Sequence, residues 1–318
     1  MQHDARIFVA GHRGLVGSSI VRELKRQGYG NLILAGRETL DLTNQMAVDR
    51  FFLSERPEYV FLCAAKVGGI VANDTYPADF IAQNLKIQAN VIDSAWKHGT
   101  KRFQFAGSGC IYPRDCPQPI KEDYLLTGPL EKTNEWYAIA KIAGLKMCEA
   151  YRKQHGFDAF SVMPANVYGE GDQYDLNICH VVPALLRKCY EAQLAGLAEV
   201  VIWGTGTAKR EILHVDDLAA AMVLLMQKPT SNDIINIGSG EEYTITDLAH
   251  IIAKVTGFKG SFVYDRSKPD GTPRKLLDSS RIRTTGWKPR LSLEEGLRRT
   301  LEAFCAASAS GHSQARAS

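Results

Sequence analysis

The chain has 318 residues, of which 45% are hydrophobic and 23% are charged, and its formal net charge is +3. This length and composition are typical of a globular protein made of one large domain or two modest ones. Because the sequence has no long basic run, nucleic acid is not expected as a partner.

The number and spacing of the cysteines predict whether the protein resides in a reducing or an oxidising compartment. There are seven, and no two are spaced as Cys-x-x-Cys, which favours a reducing environment over a disulfide framework and provides no zinc motif. A strand-like run over Arg6–Ala10 begins almost at once, so no signal peptide is predicted, and no apolar run is long enough to span a membrane. We therefore expect a cytoplasmic protein without a membrane contact or a metal site.

The first half of the chain alternates between two kinds of pattern. Apolar, strand-like runs lie at 6–10, 31–35, 58–63 and 102–107. Amphipathic, helix-like runs lie at 14–27, 44–54, 77–98 and 134–154. This alternation predicts the α/β class, with a Rossmann-type, doubly wound parallel sheet that is covered by helices on both faces.

The pattern becomes irregular after about residue 165, where turn formers and charges are frequent. Further helix and strand candidates lie at 180–196, 200–203, 214–228, 234–238 and 244–257. We predict a Rossmann domain over 1–165, with segments near 205–240 returning to it, and a smaller interleaved α/β substrate-binding lobe over 166–306. The small, polar residues 307–318 predict a disordered tail.

A glycine-rich loop follows the first strand and opens the first helix, as a dinucleotide site requires. Its residues are Gly11, His12, Arg13, Gly14, Leu15, Val16 and Gly17. Arg37 stands at the end of the second strand, where an acid would bind the ribose of NAD. Two guanidiniums, those of Arg13 and Arg37, suit a 2′-phosphate, so NADP(H) is the predicted cofactor. The alternative is that Arg37 is a solvated surface residue, with Glu38 and Asp41 close by.

Tyr137 and Lys141 predict the chemistry. They are four residues apart and therefore share one face of a helix. An ammonium beside a phenol favours the ionised phenol, so we expect the pKa of Tyr137 to fall toward neutral pH. Ser108 follows the fourth strand and could join the phenol in binding a substrate oxygen. Together with a dinucleotide site, this pair indicates hydride chemistry at a C–O centre.

Longer motifs around these residues resemble a known family. They are Ala64–Ile70, Ser108–Pro113, Asn134–Lys141 and Lys268–Lys275. The chain is similar to the GDP-L-fucose synthase family of the extended short-chain dehydrogenase/reductase superfamily. The resemblance implies an NADPH-dependent enzyme that epimerises GDP-4-keto-6-deoxy-D-mannose at C3 and C5 and then reduces C4.

The resemblance also implies an acid–base pair, Cys110 and His180, beside the catalytic Ser108, Tyr137 and Lys141. Extended backbone from Ser108 to Cys110 would turn both side chains the same way. Apart from the resemblance, Cys110 could be a small buried apolar residue and His180 a packed one. Beyond the glycine loop and Arg37, the cofactor contacts implied are Ala106, Gly107, Ser108, Lys141, Pro164, Ala165, Asn166, Val167 and His180.

For the nucleotide sugar, the resemblance implies contacts from Lys188, Trp203, Arg210 and Asp270, although Trp203 could equally be a core aromatic. The diphosphate needs cations, and the candidates are Lys188, Arg210, Lys268, Arg274 and Lys275. Helices 77–98 and 134–154 are those that the superfamily usually pairs in a homodimer.

Three other functions remain open from the sequence. One is a reductase that acts on the same substrate without epimerisation. Another is a different nucleotide-sugar epimerase with tightly held NAD. The third is a non-enzymatic NADP-binding module, which could do without the Tyr137 and Lys141 pair.

Overall fold

The computed structural model describes residues 1–228 and 233–309. Its strands, in chain order, are β1 (Ile7–Ala10), β2 (Leu32–Ile33), β3 (Tyr59–Leu62), β4 (Arg102–Ala106), β5 (Ala159–Pro164), β6 (Asn166–Tyr168), β7 (Glu199–Trp203), β8 (Lys209–His214), β9 (Ile234–Ile237), β10 (Glu242–Thr244), β11 (Ser261–Asp265) and β12 (Arg274–Lys275). Its helices are α1 (Leu15–Arg26), α2 (Gln45–Glu55), α3 (Ile70–Thr75), α4 (Pro77–Lys97), α5 (Glu135–His155), α6 (Val181–Ala195), α7 (Val215–Gln227), α8 (Ile245–Thr256), α9 (Ser280–Arg283) and α10 (Leu293–Ala309).

The central sheet has six strands in the order β2-β1-β3-β4-β5-β9. Every neighbouring pair is parallel, so all the carboxyl ends meet at one edge. The chain leaves β1 toward β2 and then returns to the other side of β1 with β3. Such a change of direction opens a crevice where ligands bind in sheets of this kind, and the predicted doubly wound α/β fold is confirmed.

Helices cover both faces of this sheet, as alternate side chains of β4 show. Gln104 donates from Nε2 to the carbonyl oxygen of Met222 in α7 at 3.1 Å. The next side chain, Phe105, has its ring 4.8 Å from the Nζ of Lys141 in α5. Because successive strand side chains point to opposite faces, α7 and α5 lie on opposite sides of the sheet.

The second lobe has its own core. β6, β10 and β12 all pair with β8, and β7 pairs with β11. Leu186 of α6, Leu248 of α8 and Leu297 of α10 belong to one buried apolar cluster beside these strands. Strong local signals define its helices: Thr244 forms a capping box with Asp247 at the start of α8.

The chain passes between the two lobes at residues other than those predicted. β8 pairs within the second lobe, so the return to the Rossmann domain starts at Val215 of α7 and not near residue 205. A further return was not predicted: Leu277, Ile282 and Trp287 are buried in the core of the first lobe. The prediction of a disordered tail over 307–318 is wrong for residues 307–309, which belong to α10; residues 310–318 lie outside the described residues.

None of the helices in the described ranges is both long enough and apolar enough to cross a membrane.

α5 lies unusually close to α4 and to the sheet at Gly144. A Cβ atom placed there would stand 2.5 Å from Oε1 of Gln88 in α4 and 2.7 Å from the Phe105 ring. Gln88 is buried and donates from Nε2 to the carbonyl oxygen of Ala140, which holds it in place. Gly144 therefore sets how closely α5, with Tyr137 and Lys141, approaches the end of β4.

Gly144→Ala should lower the free energy of unfolding by about 1–3 kcal/mol, because overpacking outweighs the roughly 0.5–1 kcal/mol gained in helix propensity. Urea unfolding followed by circular dichroism measures the change. Gly30→Ala is the control, since nothing lies within 4 Å of its Cβ position. A Gly144→Ala protein as stable as the parent would show that the close approach of α5 is not required.

Candidate active site

The glycine loop at the end of β1 has no space for side chains at two positions. Gly11 has a φ of +86°, and a Cβ there would lie 2.7 Å from the backbone nitrogen of Ala64. At Gly17 a Cβ would lie 2.2 Å from the carbonyl oxygen of Gly11. α1 begins after Gly14 with no side-chain cap and no acidic residue in its first turn. A bare backbone cradle at a helix N-terminus fits a dinucleotide pyrophosphate.

The predicted guanidiniums flank this loop. Arg13 and Arg37 are both exposed, and Arg13 forms a 2.5 Å ion pair with Glu38. His12 between them keeps a buried Nδ1 atom without a hydrogen bond, and burial, with the charge of Arg13, lowers its pKa. Both guanidiniums are thus open to solvent, and Glu38 already pairs with that of Arg13.

Tyr137, Lys141 and Ser108 come together where β4 ends. Lys141 donates from Nζ to the carbonyl oxygen of Ala106 at 2.7 Å, and its Nζ lies 5.7 Å from the centre of the Tyr137 ring. The Tyr137 phenol and the Ser108 hydroxyl share a hydrogen bond. A phenol and a hydroxyl thus point at one place, where a substrate oxygen could bind both.

The expected drop in the pKa of Tyr137 is wrong for this structure. Burial raises the pKa of the phenol, the neighbouring Cys110 raises it further, and the hydrogen bond from Ser108 lowers it only in part. Burial also lowers the pKa of Lys141 to about 8. A low-dielectric site penalises both charges, so the phenol stays protonated at neutral pH.

Cys110 lies next to this pair, but not by the expected route. The backbone after Ser108 is a 3₁₀ turn over Gly109–Ile111 and not an extended segment, and the Ser108 Oγ accepts a 3.3 Å hydrogen bond from the Cys110 nitrogen. The buried thiol lines a small cavity with Glu131, Asn134 and Lys275. The thiol therefore lies beside Ser108 because Ser108 caps the turn, and not because alternate side chains of an extended strand share one face.

His180 precedes α6 and faces the same region from the second lobe. The residue keeps an exposed edge; the protein atoms packed around its ring desolvate the imidazole and lower its pKa, and the positive charge of Lys275 lowers the pKa further. Lys275 also interacts with Cys110. Lys275 therefore interacts with both residues of the predicted acid–base pair, which the sequence did not predict.

The remaining predicted cofactor contacts follow neighbouring strand ends. Ala106 and Gly107 end β4, and a Cβ at Gly107 would touch the Met163 side chain. Pro164, Ala165, Asn166 and Val167 run from β5 into β6, and the Pro164 carbonyl oxygen lies 3.2 Å from where a Cβ on Gly109 would stand. This segment therefore lies beside the Ser108 turn.

The predicted substrate residues form a second group at the rim of the cleft. The Trp203 ring is 40% exposed, which excludes a core role, and the Nζ atoms of Lys188 and Lys268 lie 5.5 and 5.6 Å from its centre. Asp270 accepts hydrogen bonds from Thr205. Arg210 donates to the carbonyl oxygens of Thr272 and Asp270 and so links the rim to the cavity.

The two neighbouring predicted cations, Arg274 and Lys275, lie in different environments. Arg274 is exposed and pairs with Glu242 at 2.7 Å, whereas its neighbour Lys275 points into the cavity. Within residues 1–228 and 233–309, no three His, Cys, Asp or Glu side chains are grouped as a metal site requires.

Known proteins share this arrangement of lobes and motifs. Residues 7–238 match the NAD dependent epimerase/dehydratase family. The chain belongs to this family.

Two relatives and one solved structure resemble this epimerase/dehydratase family member over nearly their whole lengths. GDP-L-fucose synthase 1 of Arabidopsis thaliana is 58% identical over 299 residues, covering 94% of this chain and 93% of the relative. GDP-L-fucose synthase of Escherichia coli (strain K12) is 51% identical over 309 residues, covering 94% and 96%. A GDP-L-fucose synthetase from Naegleria fowleri bound to NADP has a TM-score of 0.89 at 27% identity, covering 98% and 97%.

The buried ammonium of Lys141 gives a testable stability effect. Below pH 8 the lysine carries its charge in both the folded and unfolded states, and between pH 8 and 10.5 only the unfolded chain keeps the proton. The free energy of unfolding therefore rises with pH in that window, by up to about 1.4 kcal/mol per unit. Lys141→Met removes this cost, so it should be more stable than the parent by about 2 kcal/mol at pH 7, with the gain shrinking toward pH 10.

Urea unfolding of both proteins at several pH values measures this difference. Lys146→Met, on the exposed side of α5 where Lys146 pairs with Glu149, is the control and should show no such pH trend. A gain in Lys141→Met that is constant across the window would mean that the pKa of Lys141 is not depressed.

Proposed function

We propose that the chain is a GDP-L-fucose synthase that converts GDP-4-keto-6-deoxy-D-mannose to GDP-L-fucose by epimerisation at C3 and C5 and NADPH-dependent reduction at C4. The observation that carries this proposal is the convergence of the Ser108 hydroxyl, the Tyr137 phenol and the Cys110 thiol at one strand end, with His180 across the cleft. Relatives at 51% and 58% identity that bear this name support it.

Ser108 and Tyr137 bind the oxygen of the sugar 4-ketone. Hydrogen bonds to that oxygen stabilise the enolate that forms when a proton leaves either adjacent carbon, C3 or C5. A single oxygen site thereby serves both inversions. Since burial keeps the Tyr137 phenol protonated, the same group then donates its proton to the oxygen during reduction of C4.

Cys110 and His180 exchange the protons of the ring carbons. One member removes a proton from the carbon next to the ketone, and the other returns a proton to the opposite face, which inverts the centre. Their placement on different lobes, with Cys110 after β4 and His180 before α6, suits attack on the two faces of a ring held between the lobes.

The cofactor of this reaction is NADP(H), and NADPH supplies the hydride for C4. The bare backbone over Gly11–Gly17 would hold its pyrophosphate, and Arg13 and Arg37 would pair with its 2′-phosphate. Lys141 orients the Tyr137 ring from its anchor on the Ala106 carbonyl. The segment Pro164–Val167 and His180 border the nicotinamide end.

The rim residues bind the nucleotide end of the substrate. Lys188 and Arg210 neutralise the diphosphate, and the exposed face of Trp203 packs against the ligand. Asp270 orders the loop that carries Thr205 and accepts a hydrogen bond from the sugar nucleotide.

The proposed assembly is a homodimer through α4 and α5, in the cytoplasm. Trp96 of α4 is 36% exposed and stacks on His155 of α5, and Leu85 is exposed on the same pair of helices. All seven cysteines are free, which agrees with a reducing compartment.

The central test is incubation with GDP-4-keto-6-deoxy-D-mannose and NADPH in deuterated water. We expect deuterium at C3 and C5 and one NADP⁺ formed per product. Tyr137→Phe should lower the rate of NADPH oxidation by about 10²–10⁴-fold because the proton donor is lost, while Tyr59→Phe, at the amino end of β3, should not. If the parent oxidises no NADPH with this substrate, the proposed function is wrong.

A second test separates epimerisation from reduction. Cys110→Ser and His180→Gln should take up deuterium at the ring carbons at least about 10²-fold more slowly, and the residual product should retain one or both original configurations. Cys305→Ser in α10 is the matched control and should behave as the parent. If both variants still inverted both centres fully, Cys110 and His180 would not be the acid–base pair, and other groups would epimerise the substrate.

A further inference from the structure

The cavity behind Cys110 contains an unexpected concentration of charge. Its lining includes Cys110, Glu131, Asn134, Thr272 and Lys275. Glu131 is only 8% exposed, and its Oε2 accepts no hydrogen bond, although Arg114 lies 3.3 Å away. Asn134 also has a buried Oδ1 without a hydrogen bond. Polar atoms without hydrogen bonds beside a lysine and a thiol make this cavity a candidate functional site.

Lys275 reaches this cavity because of the way β12 is held. The strand pairs in parallel with β8, with Lys275 opposite Arg210. Arg210 fixes the preceding loop by donating to the carbonyl oxygens of Thr272 and Asp270. Since adjacent strand side chains alternate, Arg274 points outward to Glu242 and Lys275 points inward.

The charged and titratable groups around the cavity come from several elements. Cys110 interacts with Lys275 of β12 and with Lys141 and Tyr137 of α5. Lys275 in turn interacts, besides Cys110, with Arg210, Glu131, Cys116 and His180. Burial lowers the pKa of Lys275, Cys110 opposes that change, and the positive charge of Arg210 adds to it. Lys275 thus shares the cavity with Cys110, and its charge also acts on His180.

We propose that Lys275 is a positioning residue for the two inversions: its ammonium stabilises the thiolate of Cys110 and disfavours a second positive charge on His180. The proposal deepens the proposed function and rests on it. The physical reason is Coulombic, because an opposite charge favours a thiolate and a like charge disfavours an imidazolium. Lys275 therefore increases the fraction of Cys110 that is a thiolate and can act as a base. It also makes protonated His180 release its proton more easily.

Glu131 acts in the opposite sense. Its carboxylate faces the ammonium of Lys275 and partly cancels the positive field at the thiol. The strength of the field at Cys110 is therefore set by the balance between a buried carboxylate and a half-buried ammonium.

Substitutions of these two residues test the proposal. The titration of Cys110 is followed by the ultraviolet absorbance of its thiolate, as the difference between each protein and the same protein carrying Cys110→Ser. Lys275→Met should move the midpoint up by about one pH unit, since the opposite charge is removed. Lys275→Arg should restore it, and Glu131→Gln should move it down. Lys209→Met, on the exposed side of β8 where Lys209 pairs with Glu242, should leave it unchanged.

Activity should follow the same order. At neutral pH, Lys275→Met should take up deuterium at C3 and C5 about tenfold more slowly, because a shift of one pH unit reduces the thiolate fraction tenfold. Its rate should recover as the pH is raised, in parallel with the titration.

Two outcomes would overturn the proposal. One is a thiolate midpoint that is the same in the parent, Lys275→Met and Glu131→Gln. The other is a higher KM in Lys275→Met with an unchanged pH profile, which would make Lys275 a ligand of the substrate phosphates only. Failure of the proposed function would look different: the parent itself would take up no deuterium, while the titration would still report the interaction between Lys275 and Cys110.

Discussion

The hydrogen bond from Lys141 to the carbonyl oxygen of Ala106 determines the geometry of the whole site. It ties the middle of α5 to the last residue of β4, directly before the segment that carries Ser108 and Cys110. Tyr137, one turn earlier on α5, is thereby held against Ser108. The close packing of α5 at Gly144, against Gln88 and Phe105, allows the lysine to reach that carbonyl. Contacts with the backbone therefore place Lys141 and the Ser108 turn, and the hydrogen bond between Tyr137 and Ser108 completes the arrangement.

Burial then determines which of these groups carries a charge. Lys141 is 3% exposed, so its ammonium is poorly solvated and its pKa is lowered to about 8. The same environment raises the pKa of Tyr137 and, to about 12, that of Cys63. Cys110 is also buried, and it shares its cavity with Lys275. A site of this kind keeps its phenol protonated.

Much of the fold and of the site could be predicted from the sequence. β1, β3, β4 and the helices from α1 to α8 lie within about two residues of the predicted runs where a run was predicted, because their periodicity reflects burial on a sheet or in a helix. β12 could not be predicted: two charged residues become a strand only because β8 offers a partner. The same holds for Leu277, Ile282 and Trp287, whose burial depends on a core built by distant residues.

The errors at the site have a related cause. Residue spacing correctly brought Tyr137 and Lys141 to one helix face, but the direction of the pKa shift of the phenol depends on burial by residues far away in sequence. The 3₁₀ turn after Ser108 depends on the hydrogen bond that the Ser108 hydroxyl accepts from the Cys110 nitrogen. The strand-like run before Ser108 favoured the wrong prediction, an extended backbone. Lys275 was grouped with Arg274 as a phosphate ligand, and only the alternation imposed by β12 separates the two side chains.

The path of the chain between the lobes limits how the enzyme can open. Only Ala165 separates β5 from β6, and β8 continues into α7 at Val215 without a linker. Further crossings follow β9 and β12. Several short connections side by side resist twisting of the lobes and their wide separation. A bulky nucleotide sugar is therefore expected to enter through a slight bending between the lobes and through movement of the rim side chains. For the same reason, the substrate lobe cannot be excised or exchanged as a single cassette, and new specificities on this framework have to arise by substitution at the rim.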